Sequence, residues 1–144
     1  MDLVAALKTL LGDAVTMKFT AHGFHWNVEG QDFAQYHDLF ANIYEDLDSS
    51  IDPIAENIRK MGAYAPFTLS RLSALRSISD VDPGTPAEQP MAVALLKMNE
   101  AILKSIMIAF DAAMKENQQG IANFLAERQD MHMKWKWQLT ASTK

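Results

Sequence analysis

The chain has 144 residues, 49% of them hydrophobic, which suits a single domain spanning residues 1–144 with a sizeable core. Eighteen acidic against thirteen basic residues leave a formal charge of -5. That is the wrong sign for holding nucleic acid by its phosphates, so direct DNA binding is not expected and a cation is the better-matched partner. No cysteine is present, which excludes disulfides, thiolate zinc sites and iron–sulfur clusters and leaves His, Asp and Glu as the strong side-chain ligands.

Apolar residues at Leu3, Leu7, Leu10, Ala14, Met17 and Ala21 trace one face of a first helix, expected to end near Gly30. A second stripe, Phe33, Tyr36, Phe40, Ile43, Leu47, Ile51, Ile54 and Ile58, predicts a long second helix closing at Gly62. Pro53 lies inside it and predicts a local kink. Residues 63–90 hold Pro66, Pro83, Pro86, Pro90 and Gly84, so they read as a long crossover with room for one short helix around Leu69 to Ile78. Met91, Leu95, Met98, Ile102, Ile106 and Phe110 signal a third helix, broken around Asn117 to Gly120. A fourth is expected from Ile121 to about Leu139. The expected class is all-α. Two helix hairpins separated by one long connection is the ferritin-like form of the four-helix bundle.

The N-terminus has an acid, Asp2, where an export signal would carry positive charge. The most apolar stretch, Ala101 to Phe110, is interrupted by Lys104 and Ser105. A soluble, cytoplasmic protein with no membrane partner is therefore expected.

Three of the four histidines, His22, His25 and His37, lie close to the Gly30 turn. His25 precedes the turn and His37 follows it, so on antiparallel helices the two sit at similar heights and could approach one metal. Asp48, Asp52 and Glu56 recur one turn apart on the second helix, which places them on one face. Asp52, however, is on the order of 22 Å along the helix axis from His37. If His25, His37, Asp52 and Glu56 form one site, a second chain has to complete it, and antiparallel pairing about a two-fold axis would give a dimer two such sites. The plainer alternative is that these are packing histidines and a solvated acidic face.

The run His25-Trp26-Asn27-Val28-Glu29-Gly30 resembles the signature of the Dps mini-ferritin family. His37 follows at the family's interval, Ile51-Asp52-Pro53-Ile54-Ala55-Glu56-Asn57-Ile58-Arg59 resembles its second motif, and Gly62, Pro66, Thr68 and Leu69 resemble what comes next. Arg128, His132, Lys134 and Trp137 resemble its closing pattern. The resemblance implies a hollow dodecamer that binds Fe2+ at inter-subunit sites, oxidises it preferentially with hydrogen peroxide and stores ferric mineral. It implies His25 and His37 as ligands from one subunit, Asp52 and Glu56 from its partner, and Trp26 close to the metal as a trap for oxidising equivalents. The same donors could accept Zn2+.

Two departures from the family pattern stand out. Where the family commonly has an aspartate one turn after His37 that helps hold a second iron, this chain has Ala41. His22, a turn before His25, or Asp48, a turn before Asp52, could compensate, although each taken alone reads first as an ordinary packing or solvent group; otherwise the cage sequesters metal with weak or no ferroxidase activity. The start of the last helix, Gly120-Ile121-Ala122-Asn123, lacks the acids that usually line the three-fold pores. Glu116, Glu127 and Asp130 are the nearest acids that could draw cations in.

Overall fold

The computed structural model describes all residues 1–144 as five helices: α1 (Leu3–Asn27), α2 (Phe33–Lys60), α3 (Leu69–Leu75), α4 (Glu88–Lys115) and α5 (Gln119–Ser142). The fold is all-α: α1 packs with α2, α4 with α5, and α1 against α4 and the short α3. The six residues of the α1 stripe are all buried, as are Tyr36, Phe40, Ile43, Leu47, Ile54 and Ile58 of α2 and Met91, Leu95, Met98, Ile102 and Ile106 of α4. Phe33 is a correction to the α2 stripe, being 44% exposed. No helix is long and apolar enough to cross a membrane.

Helix ends follow local chemistry. The Asp2 carboxylate caps α1 by accepting from the Ala5 amide at 2.8 Å, and the Glu116 carboxylate accepts from Leu3 N at 2.8 Å. Glu116, one of the acids considered for drawing cations in, thus serves the free amides of a helix start. α1 stops at Asn27, short of Gly30, because Val28 is extended and its amide bonds back to the Phe24 carbonyl at 3.0 Å. α2 carries Pro53 in its interior and stays one helix. α4 starts at Glu88, earlier than Met91, since Pro90 falls in the first turn, where an amide proton has no intrahelical partner to lose.

α3 ends at Leu75, three residues before the expected Ile78, and the cause is Asp13. This carboxylate, 0% exposed on α1, accepts from Ser77 N at 2.7 Å, Ile78 N at 3.1 Å, Ser77 Oγ at 2.6 Å and Ser105 Oγ at 2.5 Å. The amides that would have extended α3 bond to Asp13 instead, tying the crossover to α1 and α4. Gly12 permits this approach, because a Cβ there would lie 2.7 Å from the Leu72 carbonyl oxygen.

Candidate metal centre

The turn joining α1 to α2 fixes the heights of the two candidate histidines. Gly30 has φ +150, and a Cβ on it would overlap the Glu88 carboxylate at 1.7 Å. Glu88 Oε1 accepts from Asp32 N at 3.3 Å, while Glu29 N donates to the Pro86 carbonyl at 2.9 Å. The end of the crossover and the first turn of α4 therefore pin the His25–His37 hairpin from outside.

Within it, the imidazoles of His25 and His37 stack with centroids 3.7 Å apart and planes at 16°. His25 Nδ1 lies 2.7 Å from the His37 carbonyl oxygen, and His37 Nδ1 lies 2.7 Å from that of His25. A carbonyl only accepts, so each Nδ1 must carry the proton, and in the neutral ring each Nε2 keeps its lone pair. Such a fixed tautomer on a held ring is how a histidine is presented to a metal. Both rings are half-buried.

Other aromatic groups extend the stack. Phe33 stacks on His37 at 4.9 Å, and Tyr44 on His22 at 4.0 Å with planes at 13°. Tyr44 is also 5.4 Å from His25, and Trp26 is 4.5 Å from His22. Trp26 is 56% exposed within the chain and makes an edge-to-face pair with Phe19, centroids 6.2 Å apart. Desolvation and then the charges of Lys18 and His25 hold the His22 pKa below its ordinary value, against an upward pull from Asp48.

Asp52 and Glu56 are exposed on the later half of α2. No three His, Asp or Glu side chains of one chain come together closely enough to hold a metal. The structure thus brings His25 and His37 together, sets His22 at their edge with its centroid 6.4 Å from His25, and leaves the carboxylates elsewhere. Asp48 lies 3.9 Å from Lys18 Nζ, an ion pair that engages the acid considered as a replacement for the one missing at Ala41.

Sequence reasoning did not pick out the polar network beneath this surface. Arg128 makes two 2.8 Å bonds to the Asp46 carboxylate, and Trp135 Nε1 donates to the same group at 2.8 Å. His132 sits between Arg128 at 3.0 Å and Asn99 Oδ1 at 2.8 Å. Partial burial alone would push the Asp46 pKa up; the Arg128 and Trp135 hydrogen bonds and the Arg128 charge bring it below its ordinary value. Burial, helped by Arg128 and opposed by Asp46, pushes His132 down to about 3. A neutral, fully partnered histidine there ties α4 to α5 and is not a ligand.

This architecture, with a histidine pair at the first hairpin, is that of a ferritin-like protein. Residues 4–143 match the ferritin-like domain family, and the chain belongs to it. It is 28% identical over 130 residues to a low temperature-induced protein of Nostoc, covering 90% of this chain and 73% of that one. It is 26% identical over 140 residues to DNA protection during starvation protein 2 of Bacillus anthracis, covering 97% and 95%. The fold matches a Dps protein from Vibrio cholerae, described as a member of a broad superfamily of ferritin-like diiron-carboxylate proteins, with a TM-score of 0.92. That match has 24% identity and covers 99% of this chain and 89% of the other. Within that family the chain is similar over nearly its whole length to Dps proteins.

Proposed function

We propose that the protein is a ferroxidase and iron store: a cytoplasmic homo-oligomeric cage, a dodecamer, that binds Fe2+ at sites shared across two-fold interfaces. It oxidises the iron with hydrogen peroxide and keeps the ferric product inside, which limits oxidative damage without direct DNA binding. The observation that carries this reading is the reciprocal Nδ1–carbonyl bonding of His25 and His37, which leaves the Nε2 atoms of two stacked rings, centroids 3.7 Å apart, without a partner in the chain.

In this reading His25 and His37 of one subunit and Asp52 and Glu56 of the partner subunit are both the ligands and the catalytic residues, with His22 at the margin of the site. Two neutral nitrogens and two carboxylates suit Fe2+, and the anionic oxygens favour the Fe3+ that forms; Zn2+ fits the same donors. Assembly is supported by the apolar side chains that one chain leaves in solvent, among them Phe19, Trp26, Tyr64, Phe67 and Leu69.

Ala41 favours a second reading, a cage that holds metal with weak ferroxidase activity. Anaerobic Fe2+ titration of the apo-protein followed by a peroxide pulse, with Ala41→Asp alongside, tests both. Rapid oxidation by wild type supports the ferroxidase. Tight binding with slow oxidation, cured by Ala41→Asp, supports the holding cage. Fe2+ binding that is unchanged in His37→Ala contradicts both.

A further inference from the structure

Where the crossover begins, three large apolar side chains stand in solvent: Tyr64, Phe67 and Leu69 are 81%, 89% and 79% exposed. They are set among positive charge. Arg59 lies over the Tyr64 ring at 4.4 Å, and Lys8 and Arg71, which form no ion pair within the chain, border the same hollow as Tyr64 and Phe67. Toward the other end of the bundle, α1 and the crossover enclose a groove of about 840 Å3 whose apolar lining is Phe19, Phe24, Val81 and Met91. Its acids are Glu29, Asp80 and Asp82. Arg76 engages Asp80 at 2.6 Å, while Glu29 and Asp82 have no cation partner in the chain.

Both features lie on one face of α1. Lys8, Gly12, Thr16, Phe19, Gly23 and Asn27 follow each other three or four residues apart, and all six meet the crossover or share a hollow with it. Heights along the helices then relate the two ends. At 1.5 Å per residue, Asp52 and Glu56 lie about 22 and 28 Å down α2 from His37, and Lys8 lies about 26 Å down α1 from His25. His25 and His37 are level, so Tyr64 and Phe67, beside Lys8, share the height of Asp52 and Glu56. The groove spans the height of His25, because Gly23 and Asn27 both line it. A two-fold axis that brings Asp52 and Glu56 to His25 and His37 of the partner subunit therefore carries the Tyr64–Phe67 segment to the groove of that subunit.

We propose that Tyr64 and Phe67 clasp a second copy of this chain by seating in its groove between α1 and the crossover, and that this clasp sets Asp52 and Glu56 against His25 and His37 of the partner subunit. The inference rests on the shared iron site proposed above. Tyr64 and Phe67 are positioning residues, and Lys8 and Arg71 meet the acids at the groove's rim. The two-fold repeats the contact, so four aromatic side chains are buried, on the order of 600–1,000 Å2 before the groove's own surface is counted, which reaches the range of a specific interface.

The test uses the full chain, whose lack of cysteine makes engineered thiols unique. Ala65→Cys and Thr85→Cys in one chain lie near opposite ends of the bundle, so a short bismaleimide joins them only between copies. Cross-linked dimers should form in high yield, with the 65–85 peptide pair drawn from one isotope-labelled and one unlabelled chain. Tyr64→Ser with Phe67→Ser should keep the helical circular dichroism, since both side chains are exposed within the chain, yet weaken dimerisation and lower Fe2+ affinity by at least about 10-fold. Charge reversal separates positioning from general damage. Lys8→Glu with Arg71→Glu makes the clasp acidic, and Glu29→Lys with Asp82→Lys in a second chain makes the groove basic. Each chain alone should fail to form the two-fold dimer, whereas the two mixed should pair with each other and regain Fe2+ binding. Mixed charge variants that stay apart overturn the proposal. Assemblies that bind Fe2+ tightly without a 65–85 cross-link overturn it too, and leave the iron-binding reading standing. Cross-links in a wild-type assembly that binds no Fe2+ mean that the iron-binding reading has failed, and the positioning role falls with it.

Discussion

Two polar clusters in this molecule contain histidine, and they differ in what their atoms leave over. Around His132, 1% exposed, both ring nitrogens, the Arg128 guanidinium and the Asp46 carboxylate find partners within the chain. Around His25 and His37 the chain bonds each Nδ1 and leaves each Nε2 without a partner, on two half-buried rings that stack on each other. A buried cluster that satisfies itself fixes how helices pack. A cluster satisfied on one side only presents the other side to a ligand. Number of histidines does not separate the two; leftover valence does.

Breaking the interior cluster should have the largest effect. Asp46→Ala strands the Arg128 charge in a nearly closed site and should cost about 3–5 kcal/mol in chemical denaturation of the apo-protein, with Fe2+ affinity little changed in whatever still folds. Acid sharpens the same contrast. The folded state holds His132 at about 3, whereas its ordinary value is 6.5, so between these the unfolded chain binds the extra proton. Stability should be full above the ordinary value and fall as pH drops toward about 3, by at most about 5 kcal/mol. The lowered Asp46 pKa acts in the same direction, since stability it contributes above its unfolded value is lost on protonation. His132→Gln should flatten this acid limb in pH-dependent unfolding, and an unchanged limb would remove His132 as its source.

The hairpin cluster should respond the other way. His37→Ala removes one neutral hydrogen bond and one ring of the stack and should lower stability by only about 1–2 kcal/mol, while Fe2+ affinity by titration falls by well over about 10-fold. Gly30→Ala should cost about 1–3 kcal/mol in thermal or chemical unfolding, because the new Cβ meets Glu88 and the backbone sits at φ +150. Its metal affinity should fall too if the turn sets the histidine heights.

The helices and the hairpin pair were legible in the sequence because both follow from period and count. Three-and-four spacing marked the buried faces, and the offsets of His25 and His37 from Gly30 placed them at one level. Ends were less legible where a distant group captured backbone amides: nothing between Leu69 and Ile78 announces that Asp13, on another helix, ends α3. The one sequence signal was an acid among the buried residues of α1. Phe33 fell on the apolar stripe, yet lies at the start of α2, where the core has tapered and His37 is its neighbour. The Tyr44–His22 stack joins residues of different helices, a pairing that no single helical period contains.

Subunit complementation tests the shared site most directly. His37→Ala and Glu56→Ala chains, each assembled alone, should lose tight Fe2+ binding. Co-refolded at equal amounts, they should regain about one quarter of the wild-type sites, because half of random dimers are mixed and each mixed dimer rebuilds one of its two sites. No recovery in well-formed mixed cages would contradict a site built from His25 and His37 of one subunit with Asp52 and Glu56 of the partner subunit.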